Sequence, residues 1–146
     1  MSDKLSSSYA RLTQGSAVDK TGWPEGPWME EPDDVEWAHM GLKCWVIRQR
    51  GGHLCGYVGL PEDHPYYGLN YRDIFLNAQV HGGLTYSGEL SSCGRWWFGF
   101  DCGHTWDYLP SRAYSRFSGV TEQEYRTVEY VTDETTSLAE QLYFII

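Results

Sequence analysis

His81, Asp101, His104 and Asp107 are the residues of this chain whose types and spacing suit shared chemistry. An imidazole changes charge near neutral pH, and a neighbouring carboxylate selects its tautomer and strengthens it as a base, so the four suit general acid–base catalysis. The same donors can ligate a divalent metal, although the spacing matches neither an HExxH nor a paired CxxC pattern. Read as strand residues, His81 shares a face with Gly83 and Thr85, and Asp101 shares one with Trp97 and Gly99. Pairing those two faces brings His81 to Asp101, and a turn at Gly103 folds His104 and Asp107 over the same end of the sheet. In that cleft Trp97 offers a ring for a nucleobase, a carboxylate accepts from ribose hydroxyls, and Arg95 and Arg72 are candidate phosphate partners. His64, held between Asp63 and Pro65, is placed to reach over the cleft. Each of these residues has an ordinary alternative. A strand histidine or a turn aspartate more often satisfies backbone groups, and an aromatic strand is more often core.

The elements that must position these groups follow from pattern. Cys44–Arg48 and Leu54–Val58 are β-rich runs on either side of Gly51-Gly52, which is a hairpin signal. Residues 61–65 read as a loop and Tyr66–Leu76 as a short helix or turn. Ala78–Tyr86 and Trp96–Cys102 read as two strands that pair antiparallel across a Gly- and Ser-containing connection. Thr121 and Glu124 form a capping box for a helix running to Leu142, whose Tyr125, Val128, Val131, Leu138 and Leu142 recur at helical spacing. The expected fold is α+β in one domain, 1–146. An irregular arm occupies 1–42, and the core, 43–146, is a small, mostly antiparallel sheet with the helix on one face. Trp23, Trp28 and Trp37 are expected to pin the arm to that core.

Composition narrows the classes of function. Hydrophobic residues make up 41% and aromatics 16%, too rich for a disordered chain. Eleven Lys and Arg against 20 Asp and Glu leave a net charge of −9, which argues against duplex nucleic acid or an anionic membrane as partner. A small anionic ligand remains compatible with local arginines. No apolar run is long enough to span a membrane and the amino terminus is polar, so a cytoplasmic location is expected. Cys44, Cys55, Cys93 and Cys102 are then expected to be free thiols. There is no P-loop, no GxGxxG after a strand, no GxSxG elbow and no recognisable Cys-His frame.

The stretches Leu54–Gly59, His64-Pro65, Val80-His81-Gly82-Gly83-Leu84-Thr85 and Trp96–His104 followed by Asp107 resemble a family of small phage and prophage proteins. The resemblance runs from about Cys44 to Leu142 and includes the closing helix. It implies a phage source, and by analogy a role against nucleotide-based immune signalling in the cytoplasm of a bacterial host. The leading expectation is therefore a hydrolase acting on a phosphodiester of a cyclic mono- or dinucleotide signal, with His81 and His104 as acid and base and Asp101 or Asp107 orienting an imidazole. The alternatives are a non-catalytic sponge that sequesters a cyclic nucleotide or an ADP-ribose-type signal, and an acidic inhibitor that binds a host protein. A metal requirement and assembly into a homo-oligomer both stay open at this point.

Overall fold

The computed structural model describes residues 18–91, 93–112 and 123–145. Among them the expected hairpin forms β2 (Leu42–Arg48) and β3 (Leu54–Leu60), antiparallel, with Gly52 in the left-handed region at φ 96° where the chain turns. β5 (Trp96–Asp101) pairs antiparallel with β3, and the short β4 (Tyr86–Gly88) pairs antiparallel with β5. A further strand, β1 (Asp34–His39), pairs antiparallel with β2. The spatial order is β1-β2-β3-β5-β4. α1 (Val128–Tyr143) lies across β2 and β3, so the fold is α+β, with an antiparallel sheet and a carboxy-terminal helix on one face.

The helix packs through the stripe that its periodicity marks. Val131, Thr135, Leu138, Ala139 and Leu142 are buried against Val46, Leu54, Val58, Phe98 and Phe100, with Val128 at the margin. Gly56 makes the approach close, because a Cβ there would collide with Thr135 Oγ1 and the Phe100 ring. The start of the helix differs from expectation. Thr127 is the N-cap and accepts from the Tyr130 amide at 3.1 Å, while Glu124 is extended and bridges to Asp107; Thr121 lies outside the described residues. The tertiary bridge takes the Glu124 amide, which donates to Trp106 O at 3.1 Å and so is not available to a capping side chain.

Two other expectations are corrected. The segment 1–42 is not irregular throughout, because β1 occupies Asp34–His39 and Leu42 opens β2. They are joined by a two-residue turn in which Met40 (φ 54°) and Gly41 (φ 82°) are both left-handed, as a tight hairpin requires. Trp28 is buried against Tyr108 and Tyr125, and Trp37 packs on the core, so these two do pin the arm. The strand expected at Ala78–Tyr86 is confined to Tyr86–Gly88. Gly82 (φ 69°) and Gly83 (φ 83°) are left-handed and build a turn closed by the Gly83 amide on Val80 O at 2.8 Å. Tyr66–Leu76 consists of turns and bends without a helix. No two of the four cysteines are bridged; Cys44, Cys55 and Cys102 are buried and Cys93 is exposed. Among the described residues, no helix is long and apolar enough to cross a membrane.

The face of the sheet away from α1 carries Trp45, Trp97 and Tyr57, the Asp34 carboxylate, which accepts from Trp45 Nε1 at 2.7 Å, and the carboxyl of Glu36. Glu36 on β1 sits opposite Trp45, is 3% exposed, and its Oε2 has no hydrogen-bond partner among the described residues. Burial, reinforced by Asp34 and opposed by Lys43, pushes its carboxyl up to about 7. A carboxyl raised on folding stabilises fully below its unfolded value and loses that contribution as pH climbs through the folded one. The fold should therefore lose on the order of 2–3 kcal/mol between pH 5 and 9. Urea midpoints measured at both pH values should converge in Glu36→Gln; an equal drop in wild type and variant would refute the assignment.

Candidate functional site

The residues past the end of β5 turn back on themselves, with the Asp107 amide donating to His104 O at 2.9 Å. The Asp107 carboxylate is thereby directed inward, where it is fully buried. Backbone hydrogen bonds from Tyr108 to Glu124 O and from Glu124 to Trp106 O lay the approach to α1 alongside this turn and bring Arg126 to it. His81 arrives from the Val80–Gly83 turn, whose position is set by the His81 amide donating to Glu134 Oε1 on α1 at 2.7 Å.

Asp107 is the hub on which the others converge. Its Oδ2 accepts from the His104 amide and His104 Nδ1, both at 3.0 Å, and its Oδ1 accepts from Arg126 Nε at 2.9 Å. His81 Nε2 lies 3.1 Å from both oxygens. Burial alone would raise the carboxyl, but the hydrogen bonds from His81, Arg126 and His104 outweigh it and hold Asp107 below its ordinary value. An ionised Asp107 dictates the tautomers, since each imidazole must present an N–H to it. For His81 that proton is on Nε2, and Nδ1 accepts from Tyr130 Oη at 2.9 Å. Burial and the nearby Glu134 raise the Tyr130 phenol, which keeps it protonated as the donor. Both nitrogens of His81 are thus engaged. For His104 the proton is on Nδ1, and Nε2 has no hydrogen-bond partner among the described residues. Trp106 stacks on the His104 ring at 4.5 Å and 8°, and is itself 46% exposed.

The four expected catalytic residues are therefore regrouped. His81, His104 and Asp107 converge, but His81 comes from a turn and not from a strand facing Asp101. Asp101 lies at the rim, 3.9 Å from His104 Nδ1, and its carboxylate accepts from the Gly103 amide as a turn former. The expected ligand residues are placed elsewhere. Trp97 is fully buried against Trp45 on the far face of the sheet, so it offers no ring to a ligand. Arg95 donates to Gly59 O beside the first residue of β5, at the other end of the strand from Asp101. Arg72 is exposed over the Tyr71 ring. His64 ties its loop to the helix, with Nε2 2.8 Å from Leu142 O and Nδ1 accepting from the Tyr66 amide. Thr85 is exposed and anchors to β5 through its amide on Gly99 O.

Sequence reasoning missed Arg126, Tyr130, Glu134 and Trp106. Tyr130 and Glu134 are four apart, on a helical face separate from the buried stripe, which was the available signal. Arg126 carried none, because only the Asp107 to Glu124 bridge brings it in. Gly82 is also part of the site, since a Cβ there would lie inside van der Waals contact of the His104 ring, and its φ is left-handed. Gly82→Ala should displace that ring while the sheet survives. Loss of the Trp106–His104 stacking shift in the aromatic proton spectrum, with an unchanged far-ultraviolet spectrum, is the expected result.

The arrangement provides an Asp-oriented imidazole whose second nitrogen is unpartnered among the described residues, a cation and a half-exposed ring. His81, His104 and Asp107 also bring three potential metal-ligating atoms within 4.8 Å of one another. Comparison with protein-family models, curated proteins and solved structures found no match.

Proposed function

We propose that the protein hydrolyses a phosphodiester in a nucleotide, with His104 as the residue that moves the proton. The observation that carries this reading is the Asp107···Nδ1–H pair at 3.0 Å, which leaves His104 Nε2 as the site imidazole nitrogen without a hydrogen-bond partner among the described residues. In the reaction Nε2 takes the proton of an attacking water, the water oxygen bonds to phosphorus, and the bond to the leaving oxygen breaks. The proton on Nε2 then passes to that oxygen. Arg126 and His81 hold Asp107 ionised and in place, so His81 is a positioning residue in this scheme. The outer face of Trp106 takes the part expected of Trp97, where a stacked base contributes about 1–3 kcal/mol. The resemblance to phage proteins makes cyclic signalling nucleotides of a bacterial cytoplasm the class to test.

One observation favours a second reading. With both nitrogens of His81 engaged, a separate general acid for the leaving group is missing from the histidine pair, which suits a sponge that binds a nucleotide intact. Incubation with a panel of cyclic mono- and dinucleotides, then heating and chromatography, separates the two. A hydrolase converts the ligand, and His104→Ala lowers turnover about 10²–10⁴-fold with binding retained. Intact ligand released by heat supports the sponge. Neither conversion nor capture rejects both and leaves the acidic protein-binding inhibitor.

A further inference from the structure

We infer that His81, His104 and Asp107 form a three-ligand site for Zn²⁺. The inference rests on ligand geometry and is independent of the acid–base reading. In a tetrahedral zinc site with bonds of about 2.0–2.2 Å, neighbouring ligand atoms stand roughly 3.3 Å apart. His104 Nδ1 lies 3.0 Å from Asp107 Oδ2, and His81 Nε2 lies 3.1 Å from it. These two edges need to open by only a few tenths of an ångström, while the third, between the two imidazoles, is bounded at 4.8 Å and closes by at most about 1.5 Å when the metal binds. The donor set is two imidazoles and one carboxylate oxygen, which suits zinc over magnesium or calcium. Three protein ligands leave the fourth position to water or a ligand.

The surroundings support the ligands. When Nε2 of His81 binds metal, its proton moves to Nδ1, which then donates to Tyr130 Oη across the existing 2.9 Å contact. A partner on the second imidazole nitrogen is what fixes a metal-binding histidine. His104 likewise carries its proton on Nε2 in the metal state, so no proton is lost from either ring. Arg126 occupies Asp107 Oδ1, which leaves Oδ2 as a single-oxygen ligand and sets a cation beside the metal. Arg126 therefore weakens the site, a property that distinguishes it from an adventitious histidine pair. Metal binding and the resting Asp107···Nδ1–H pair of His104 exclude each other.

The test is titration of the full chain with zinc chloride, carried in a Cys93→Ser background because that thiol is exposed. Calorimetry should show one equivalent, and long-range ¹H–¹⁵N spectra should show the His104 proton moving from Nδ1 to Nε2. His104→Ala, on the partly exposed ligand, should weaken binding at least about 100-fold, while Arg126→Gln should tighten it about tenfold. Absence of a one-equivalent phase, a His104 tautomer unchanged by zinc, or binding untouched by His104→Ala would overturn the site. None of these readouts depends on turnover, so a failed hydrolysis assay leaves the zinc result standing, and the reverse also holds.

Discussion

Asp107→Ala should destabilise the fold by roughly 3–5 kcal/mol, the range found when one partner of a buried charge network is removed. The carboxylate is fully buried and accepts from the His104 amide, His104 Nδ1, Arg126 Nε and His81 Nε2. Alanine leaves Arg126 with only the exposed Glu124 as counter-ion and leaves the His81 and His104 N–H groups without the carboxylate that accepts them. His104→Ala removes one donor from a half-open position and should cost about 1 kcal/mol. Denaturant unfolding of both variants gives the comparison. Equal, small losses would show that Asp107 does not organise this corner of the molecule. The same comparison separates roles, because a chain that stays folded without His104 but loses turnover assigns His104 to chemistry and Asp107 to its support.

Arg48→Met is expected to be comparably destabilising, again by about 3–5 kcal/mol, at a buried cation that makes no contact with His81, His104 or Asp107 among the described residues. The guanidinium is buried at the end of β2 and donates to Asp33 Oδ1 at 2.6 Å, Glu31 Oε1 at 3.3 Å, Gly52 O at 2.9 Å and Tyr125 Oη at 2.7 Å. Tyr125 in turn donates to Glu31, whose other oxygen accepts from the Val128 amide in the first turn of α1. One cation thus ties the arm, the β2–β3 turn and the start of the helix together. Methionine keeps most of the buried stem but removes the cation between the two carboxylates, leaving Asp33 with Lys20 and Glu31 with the Tyr125 hydroxyl and the Val128 amide. Lys20→Met, at a more exposed pair with Asp33, should change stability by no more than about 1 kcal/mol. A small effect for Arg48→Met would mean that the arm is held by Trp28 packing alone.

What could be read from the sequence was what local rules decide. Gly51-Gly52 between two β-rich runs marked the β2–β3 hairpin because a tight turn needs a residue that tolerates positive φ. The stripe of Val131, Leu138 and Leu142 marked the buried face of α1 because helical periodicity is a property of one element. His81, His104 and Asp107 were singled out because their side chains have few other uses in combination. β1 was hidden because Asp34 and Glu36 look like loop residues, and Glu36 is buried only by what lies across it.

The site itself was decided by tertiary structure. Which tryptophan is available depends on what covers it, so Trp97, in the middle of β5, is sealed against Trp45 while Trp106 in the following turn stays open. Which carboxylate orients the imidazoles depends on the turn after β5, which sends Asp107 inward and leaves Asp101 capping Gly103 at the rim. Arg126 and Tyr130 reach the histidines only because the chain returns beside Asp107 before entering α1. Periodicity and turn chemistry act over a few neighbouring residues and so are written in the sequence, whereas burial and hydrogen-bond partnership are set by distant segments and exist only once the chain has folded.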